Sequence, residues 1–239
     1  MKERTQQILR ALVQEFIRTA HPVASKRLLE TGQFRVSSAT VRNEFALLED
    51  VGYIESPHTS AGKVPTSKGF RYYVDSFVGP TKEMPLPSNL QQTLQQGLSA
   101  YKLHKSKESV LDGLELLSHL TGNVAFAVVE DDRTMYLGLS SVLRKPEFLQ
   151  NPELAAQIVE VLEGRERFHA LLEKLETPEG VVKIFIGEEN MLQEISSCAM
   201  LVVRFTASYS QGYLGVLGPM RMHYTLNKSL LEQVYTMLV

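Results

Sequence analysis

The spacing of apolar residues predicts helices in the first third of the chain. From Glu3 to Ala20 they recur three or four residues apart, which places them on one face of a helix. Ser25 can cap a short second helix over Lys26–Glu30. The two cations at the start of this second helix, Lys26 and Arg27, are equally compatible with phosphate contacts and with plain solvated charges.

A third amphipathic helix is predicted to start at Ser37 or Ser38, whose hydroxyls can accept from the free amides of a first helical turn. Its inward stripe consists of Val41, Phe45 and Leu48. Its outward side carries Ala39, Asn43, Ala46 and Asp50, with Arg42 at the flank. This slim face fits the major groove of DNA, where Arg can donate two hydrogen bonds to guanine and Asn can pair with adenine. A solvated amphipathic helix is the alternative interpretation of the same pattern.

A tight hairpin is predicted directly after the third helix. Gly52 can adopt the left-handed conformation that ends a helix, and Tyr53 and Ile54 look extended before the turn-rich residues 58–62. A hairpin in this position is the wing of a winged helix-turn-helix, and its tip would bring Lys63 to a DNA phosphate. The predicted DNA-binding residues are Ser37, Ser38, Thr40, Arg42, Asn43, His58, Thr59, Ser60 and Lys63.

Prolines mark the end of the first domain. A helix capped by Thr66 or Ser67 is expected to be the last element of the domain formed by residues 1–80. Two proline-containing segments around Pro80 and Pro85, which disfavour helix, follow it. Residues 81–120 are predicted to form a linker and an amphipathic helical segment. The apolar positions of this segment are Leu90, Leu94, Leu98, Tyr101, Leu111, Leu114 and Leu117.

Residues 121–239 alternate extended and helical patterns. Strands are predicted over residues 124–129, 136–142, 181–186, 200–209 and 212–217. Helices are predicted from Pro152 to Gly164, then on to Leu175, and from Leu226 to Leu238. Sequential hairpins favour an antiparallel sheet with helices mostly on one face, so the predicted fold class is α+β.

Charge is divided unevenly between these parts. Residues 1–80 hold 11 Lys and Arg against 8 Asp and Glu, a net +3, and the remainder carries −5. A basic first domain supports contact with nucleic acid.

Composition excludes several other classes of protein. Cys198 is the single cysteine, so neither an internal disulfide nor a cysteine-pair metal site is expected. No run of apolar residues approaches a membrane span, and the N-terminus lacks the apolar core of a signal peptide, which predicts a cytoplasmic protein. The six histidines are scattered, and no nucleophile and base stand in a recognisable arrangement. No catalytic, cofactor or metal site is therefore predicted.

The N-terminal pattern resembles a known family. Ser37–Gly52 followed by PHTSAGKVPTSKGFRYYVD (Pro57–Asp75) is similar to the DNA-binding domain of the heat-inducible transcription repressors, the HrcA family. The wing and the Gly-Phe-Arg-Tyr-Tyr-Val-Asp run are the more specific part of this resemblance.

Three motifs extend the resemblance to the second half. Lys145-Pro146-Glu147-Phe148, Ile186-Gly187-Glu188-Glu189-Asn190 and Gly218-Pro219-Met220-Arg221-Met222-His223-Tyr224 match the family's sensor-like domain, which implies a GAF-like fold. Two features depart from the family. The large inserted segment that usually dimerises these repressors, expected between Val124 and Tyr136, is reduced to about ten residues, and Met220 and His223 replace a Thr and an Asp.

The resemblance implies a transcriptional repressor of chaperone operons. It would bind double-stranded DNA at an inverted repeat as a homodimer, with the chaperonin as a further partner. Because the usual insert looks absent, residues 88–239 are expected to form the dimer. A metabolite-sensing repressor with a small-molecule site in the C-terminal domain is the alternative function. An enzyme tethered to a winged helix is disfavoured by the missing site residues.

Overall fold

The chain folds into two units, Met1–Gly79 and Pro80–Val239. The computed structural model describes residues 1–58, 62–79, 91–93, 95–96, 109–129, 133–207 and 210–239. Both units combine helices with antiparallel strands, which confirms the α+β class. No helix in these described ranges is long and apolar enough to cross a membrane.

The first unit packs four helices and a two-stranded hairpin around one apolar core. Its elements are α1 (Glu3–Thr19), α2 (Ser25–Glu30), α3 (Ser38–Asp50), β1 (Ile54–Glu55), β2 (Val64–Pro65) and α4 (Ser67–Phe77). β1 and β2 are antiparallel, with Ile54 opposite Pro65. The core residues include Ile8, Leu12, Leu28, Val41, Phe45, Leu48 and Phe70, all at most 4% exposed.

Local signals placed the boundaries of these helices well. α1 ends where Ala20 takes a left-handed conformation, and Ser37 caps α3. One cap differs from the prediction, because α2 begins at Ser25 itself and has no side-chain cap. The Ser25 hydroxyl lies instead 3.1 Å from the hydroxyl of Ser38.

The second unit is a five-stranded antiparallel sheet with surrounding helices. Its elements are α5 (Ser109–Thr121), β3 (Val124–Val129), β4 (Arg133–Leu137), α6 (Leu139–Leu143), α7 (Pro146–Leu149), α8 (Pro152–Glu163), α9 (Arg165–Lys174), β5 (Lys183–Ile186), β6 (Cys198–Ala207), β7 (Ser210–Pro219) and α10 (Tyr224–Leu238). The strand order is β4-β3-β7-β6-β5, and every neighbouring pair is antiparallel.

Helices cover both faces of this sheet, so the prediction that they lie mostly on one face is wrong. Phe126, Met200 and Val202 join one apolar cluster with residues of α6 to α9. Side chains alternate along a strand, and all six residues of β3 are buried, so its opposite face is covered as well. α5 and α10 contact each other, β3 and β6, and they supply this second layer.

The predicted strand over residues 136–142 is displaced. β4 ends at Leu137, Gly138 follows with φ +87°, and α6 starts at Leu139. A strand cannot continue through the left-handed conformation at Gly138, and only glycine adopts it without strain. The apolar residues beyond Gly138 therefore form a helix, whose Val142 joins the core.

The helical segment predicted over residues 81–120 is described mainly at its end. Leu90, Leu94, Leu98 and Tyr101 lie outside the described residues. Leu114 and Leu117 of α5 are fully buried in the second unit, and Leu111 is 41% exposed. α5 is therefore part of the sheet unit.

Candidate nucleic-acid interface

α3 presents one buried and one exposed face. Val41, Phe45 and Leu48 are at most 4% exposed and pack inward, as their spacing predicts. Ala39, Arg42, Asn43 and Ala46 are exposed. The exposed neighbours Ala39 and Ala46 have small side chains, so this part of α3 is open to a ligand.

Hydroxyl groups fix the start of α3. Ser37 accepts from the backbone N–H of Thr40 at 3.1 Å, and their hydroxyls lie 3.0 Å apart. Ser38 Oγ lies within hydrogen-bond distance of Ser25 Oγ on α2 and accepts from Arg42 Nη2 at 3.3 Å. Three predicted contact residues therefore also position the helix and its arginine.

Two exposed groups, one on α3 and one just before it, were not identified from the sequence. Leu47, four residues after Asn43 on the same face, is 54% exposed, and it could contact a thymine methyl group. Arg35 is exposed two residues before the cap. The available signals were the position of Leu47 outside the buried stripe and a cation directly before a helix start.

A buried carboxylate anchors the inward side of α3. Glu44 is 3% exposed and accepts from Thr5 Oγ1 and Arg4 Nε of α1, each at 2.7 Å. The Thr5 hydrogen bond, followed by the Arg4 interaction, lowers the pKa of Glu44 despite its burial. The carboxylate is therefore ionised at neutral pH and ties α3 to α1.

A second carboxylate ties α2 to α1. Glu15 is 7% exposed and pairs with Arg18 at 2.6 Å and with Arg27 at 2.7 Å. Hydrogen bonding from Arg18, together with that from Arg27, lowers the pKa of Glu15. Arg27 thus holds two helices together, whereas Lys26 is exposed.

The hairpin is attached to the end of α3 through Lys63. Lys63 Nζ donates to Glu49 Oε2 at 2.5 Å and to Ser56 Oγ at 2.6 Å, and the lysine side chain is 20% exposed. Its backbone forms two hydrogen bonds with Val23. Lys63 therefore lies where the hairpin loop joins β2, beside the end of α3, rather than at the tip. His58 is exposed, and Thr59 and Ser60 lie outside the described residues.

The segment after the hairpin closes the C-terminal end of α3. The Thr66 hydroxyl accepts from the N–H of Gly69, which caps α4, and donates to the carbonyl of Gly52 at 2.7 Å. Lys68 Nζ donates to the Val51 carbonyl at 2.7 Å and lies over the Tyr53 ring. Thr66 and Lys68 therefore donate to backbone carbonyls at the end of α3, where a helix leaves carbonyls without a partner.

The predicted site residues thus fall into two groups. Ser37, Ser38, Thr40, Arg42 and Asn43 come together at the N-terminal half of α3, whereas Lys63 lies beside its C-terminal end. Among the residues that the structure describes, no cluster of three His, Cys, Asp or Glu could hold a metal ion.

Comparison with known proteins identifies the family. The model of the HrcA protein C-terminal domain matches residues 84–226, more than half of the 239 residues. A heat-inducible transcription repressor HrcA of Lactobacillus acidophilus is 41% identical over 127 residues, which cover 53% of this chain and 35% of that protein. The one of Desulforamulus reducens is 28% identical over 331 positions, which cover 94% of this chain and 92% of that protein.

The longer alignment also reveals a difference in length. The alignment spans 331 positions, and this chain contributes 94% of its 239 residues, about 225, to it. About 106 positions of the relative therefore have no counterpart in this chain. In this chain Val129 pairs with Arg133, which leaves three residues between β3 and β4, where the inserted segment was expected.

A solved structure supports the fold. A crystal structure of a hypothetical protein matches with a TM-score of 0.80 over 100% of this chain and 97% of that chain, at 19% identity. At this identity the match is evidence for the fold alone.

The relatives are named as transcription repressors, which confirms that the protein is a regulator and not an enzyme. Since a family model covers more than half of its length and a named repressor aligns over 94% of it, the chain belongs to the HrcA family of heat-inducible transcription repressors.

Proposed function

We propose that the first unit is a winged helix-turn-helix that binds an inverted-repeat DNA operator, with α3 in the major groove. The observation that carries this proposal is the open face around Arg42 and Asn43 on a helix that buried contacts hold from behind. A rigid helix with a guanidinium and an amide on one narrow face matches the hydrogen-bonding edges of guanine and adenine. Ser37, Ser38, Thr40, His58, Thr59, Ser60 and Lys63 complete the proposed contacts, mainly to phosphates.

Lys63 contacts a phosphate in this proposal only if it exchanges Glu49 for that phosphate. Its ammonium lies between the Glu49 carboxylate and the Ser56 hydroxyl. A phosphate is a better partner than a half-exposed carboxylate, since binding it also releases condensed counterions from the DNA.

The second unit is proposed to be a GAF-like regulatory domain that joins two protomers. Its five-stranded antiparallel sheet with helices on both faces supports this. Chaperone operons as targets and a chaperonin as partner belong to the same proposal, because they follow from the family and not from a contact in this structure.

The test measures binding of the full chain to an operator duplex and to random duplex DNA. Alanine at Arg42 or Asn43 should weaken specific binding by about 1–3 kcal/mol, since each bidentate pair discriminates by that amount, and should leave non-specific binding unchanged. Arg144→Ala, a change at an exposed arginine of the second unit, is the matched control. An equal loss on both duplexes would contradict the proposed readout.

A further inference from the structure

Two family motifs of the second unit meet at one end of the sheet. Glu147, from the Lys-Pro-Glu-Phe motif, forms an ion pair with Arg221 from the motif after β7, although 74 residues separate them. Lys145 of the first motif donates to Asn123 Oδ1 at 2.6 Å. Lys145, Glu147 and Arg221, with Asn123, are called the motif cluster below.

The backbone is shaped to hold Asn123 in this cluster. Asn123 is 1% exposed and directly precedes β3, whose Val124 pairs with Leu217 of β7. A Cβ atom on Gly218 would collide with the amide group of Asn123, so glycine leaves the room that the amide occupies. The acceptor for Lys145 is therefore fixed by the sheet rather than by a mobile side chain.

Among the four residues of the motif cluster, cations outnumber carboxylates. The cluster holds two cations and one carboxylate, and Arg221 donates to both oxygens of that carboxylate. The described hydrogen-bond partner of Lys145 is a neutral amide oxygen. Burial, followed by the proximity of Arg221, lowers the pKa of Lys145 to about 8, and Glu147 offsets only part of this.

A half-buried ammonium beside a guanidinium is unfavourable unless an anion accompanies it. If Lys145 served only to hold Asn123, a neutral donor would do so without this penalty. The positive charge itself is therefore the feature that needs a function. An oxyanion could accept a hydrogen bond from the Lys145 ammonium and balance its charge, while Arg221 continues to neutralise Glu147.

We propose that the motif cluster binds a small oxyanion, the phosphate or carboxylate group of a small molecule, through Lys145. Such a ligand would make the second unit a sensor domain. The proposal concerns the second unit and does not rest on operator binding by the first.

The test is a titration of the full chain with inorganic phosphate at constant pH and ionic strength, followed by calorimetry. The wild type should bind with a millimolar or tighter dissociation constant, and Lys145→Gln should weaken binding at least tenfold. Lys145→Arg, which keeps the charge, should retain binding. Lys183→Gln is the matched control, because Lys183 also donates to a neutral oxygen, the Glu176 carbonyl at 3.1 Å.

A second measurement needs no variant. Phosphate should shift the backbone amide resonances of Lys145, Glu147 and Arg221 in the wild type. Acetate in place of phosphate distinguishes the two sources of the oxyanion, since tighter Lys145-dependent binding of acetate would assign the site to carboxylates and tighter binding of phosphate to phosphate groups. Absence of wild-type binding, equal binding by Lys145→Gln, or shifts confined to residues 1–79 would overturn the proposal. The last outcome would place phosphate on the proposed DNA interface instead.

Discussion

At the scale of single residues, the carboxylates of the first unit matter more than its net charge suggests. Five of its eight acidic residues form ion pairs inside the unit, namely Glu15, Glu30, Glu44, Glu49 and Asp75. The cations in these pairs are Arg4, Arg18, Arg27, Lys63 and Arg71. Lys26, Arg35 and Arg42 are exposed and take no part in these ion pairs, so they supply positive charge that DNA would meet around the start of α3.

Acid should destabilise the first unit through Glu15 and Glu44. Both have a pKa below the ordinary glutamate value in the folded state. Their stabilising effect is thus complete above the unfolded-state pKa of about 4.3 and is lost as the pH falls through the lower folded pKa. Urea unfolding of the full chain, followed by circular dichroism, should show a loss of stability that begins below about pH 4.3.

The Glu44→Gln variant provides the control for this acid effect. It should lower the free energy of unfolding at pH 7 by about 1.5–3 kcal/mol, the range for hydrogen bonds to a charged group. Its stability should then fall less steeply with acid than that of the wild type. A parallel pH dependence in the two proteins would show that Glu44 does not carry the effect.

Replacement of Lys63 by alanine separates phosphate contact from base readout. If Lys63 exchanges Glu49 for a phosphate, Lys63→Ala weakens all DNA sequences alike. The slope of the logarithm of the binding constant against that of salt concentration should then flatten by about 0.9. Lys174→Ala, at an exposed lysine of the second unit, should leave the slope unchanged. An unchanged slope in Lys63→Ala would place this residue away from the DNA.

At the scale of elements, the start of α4 is hydrogen-bonded to the backbone that follows α3. A Cβ atom on Gly69 would collide with the carbonyl oxygen of Tyr53, next to the Val51 and Gly52 carbonyls that Lys68 and Thr66 bind. The start of α4 therefore packs directly on the backbone that leaves α3.

Gly69→Ala should destabilise the first unit by about 1–3 kcal/mol, the usual cost of overpacking, and should also weaken DNA binding. The measurement is urea unfolding combined with operator binding. Gly79→Ala is the control, since a Cβ atom there meets nothing within 4 Å among the described residues and φ is not left-handed. Full stability of Gly69→Ala would show that the junction yields without cost.

At the scale of the whole molecule, the direct β3–β4 connection raises the question of how two protomers associate. Val129 and Arg133 pair across three intervening residues, so this chain has no long insertion between β3 and β4. A single winged helix reads too few base pairs for a bacterial operator, and a homodimer with two-fold symmetry would read both halves of an inverted repeat.

We expect residues 88–239 to form this dimer. Sedimentation equilibrium at micromolar concentration should find a dimer for the full chain and for residues 88–239, and a monomer for residues 1–80. Half-sites on the operator should then be separated by whole turns of about 10 base pairs. A monomeric full chain that still protects both half-sites would contradict the prediction.

The sequence by itself determined the helices of the first unit and most strands of the second. The cap at Ser37, the left-handed Gly52 and the stripe of Val41, Phe45 and Leu48 all act within one or two turns. The run of six apolar residues in β3 likewise marks a buried strand. Such short-range signals leave a readable pattern because the interacting atoms belong to neighbouring residues.

Only the tertiary structure decided which charges are used internally and which face a ligand. Glu44 reaches Thr5 across 39 residues, and Arg221 reaches Glu147 across 74. Lys63 pairs with Glu49 instead of lying at the expected hairpin tip. Both faces of the sheet in the second unit are covered by helices. A periodic pattern states that a face is buried but not what covers it, because the partner is chosen by packing between elements that are distant in the chain.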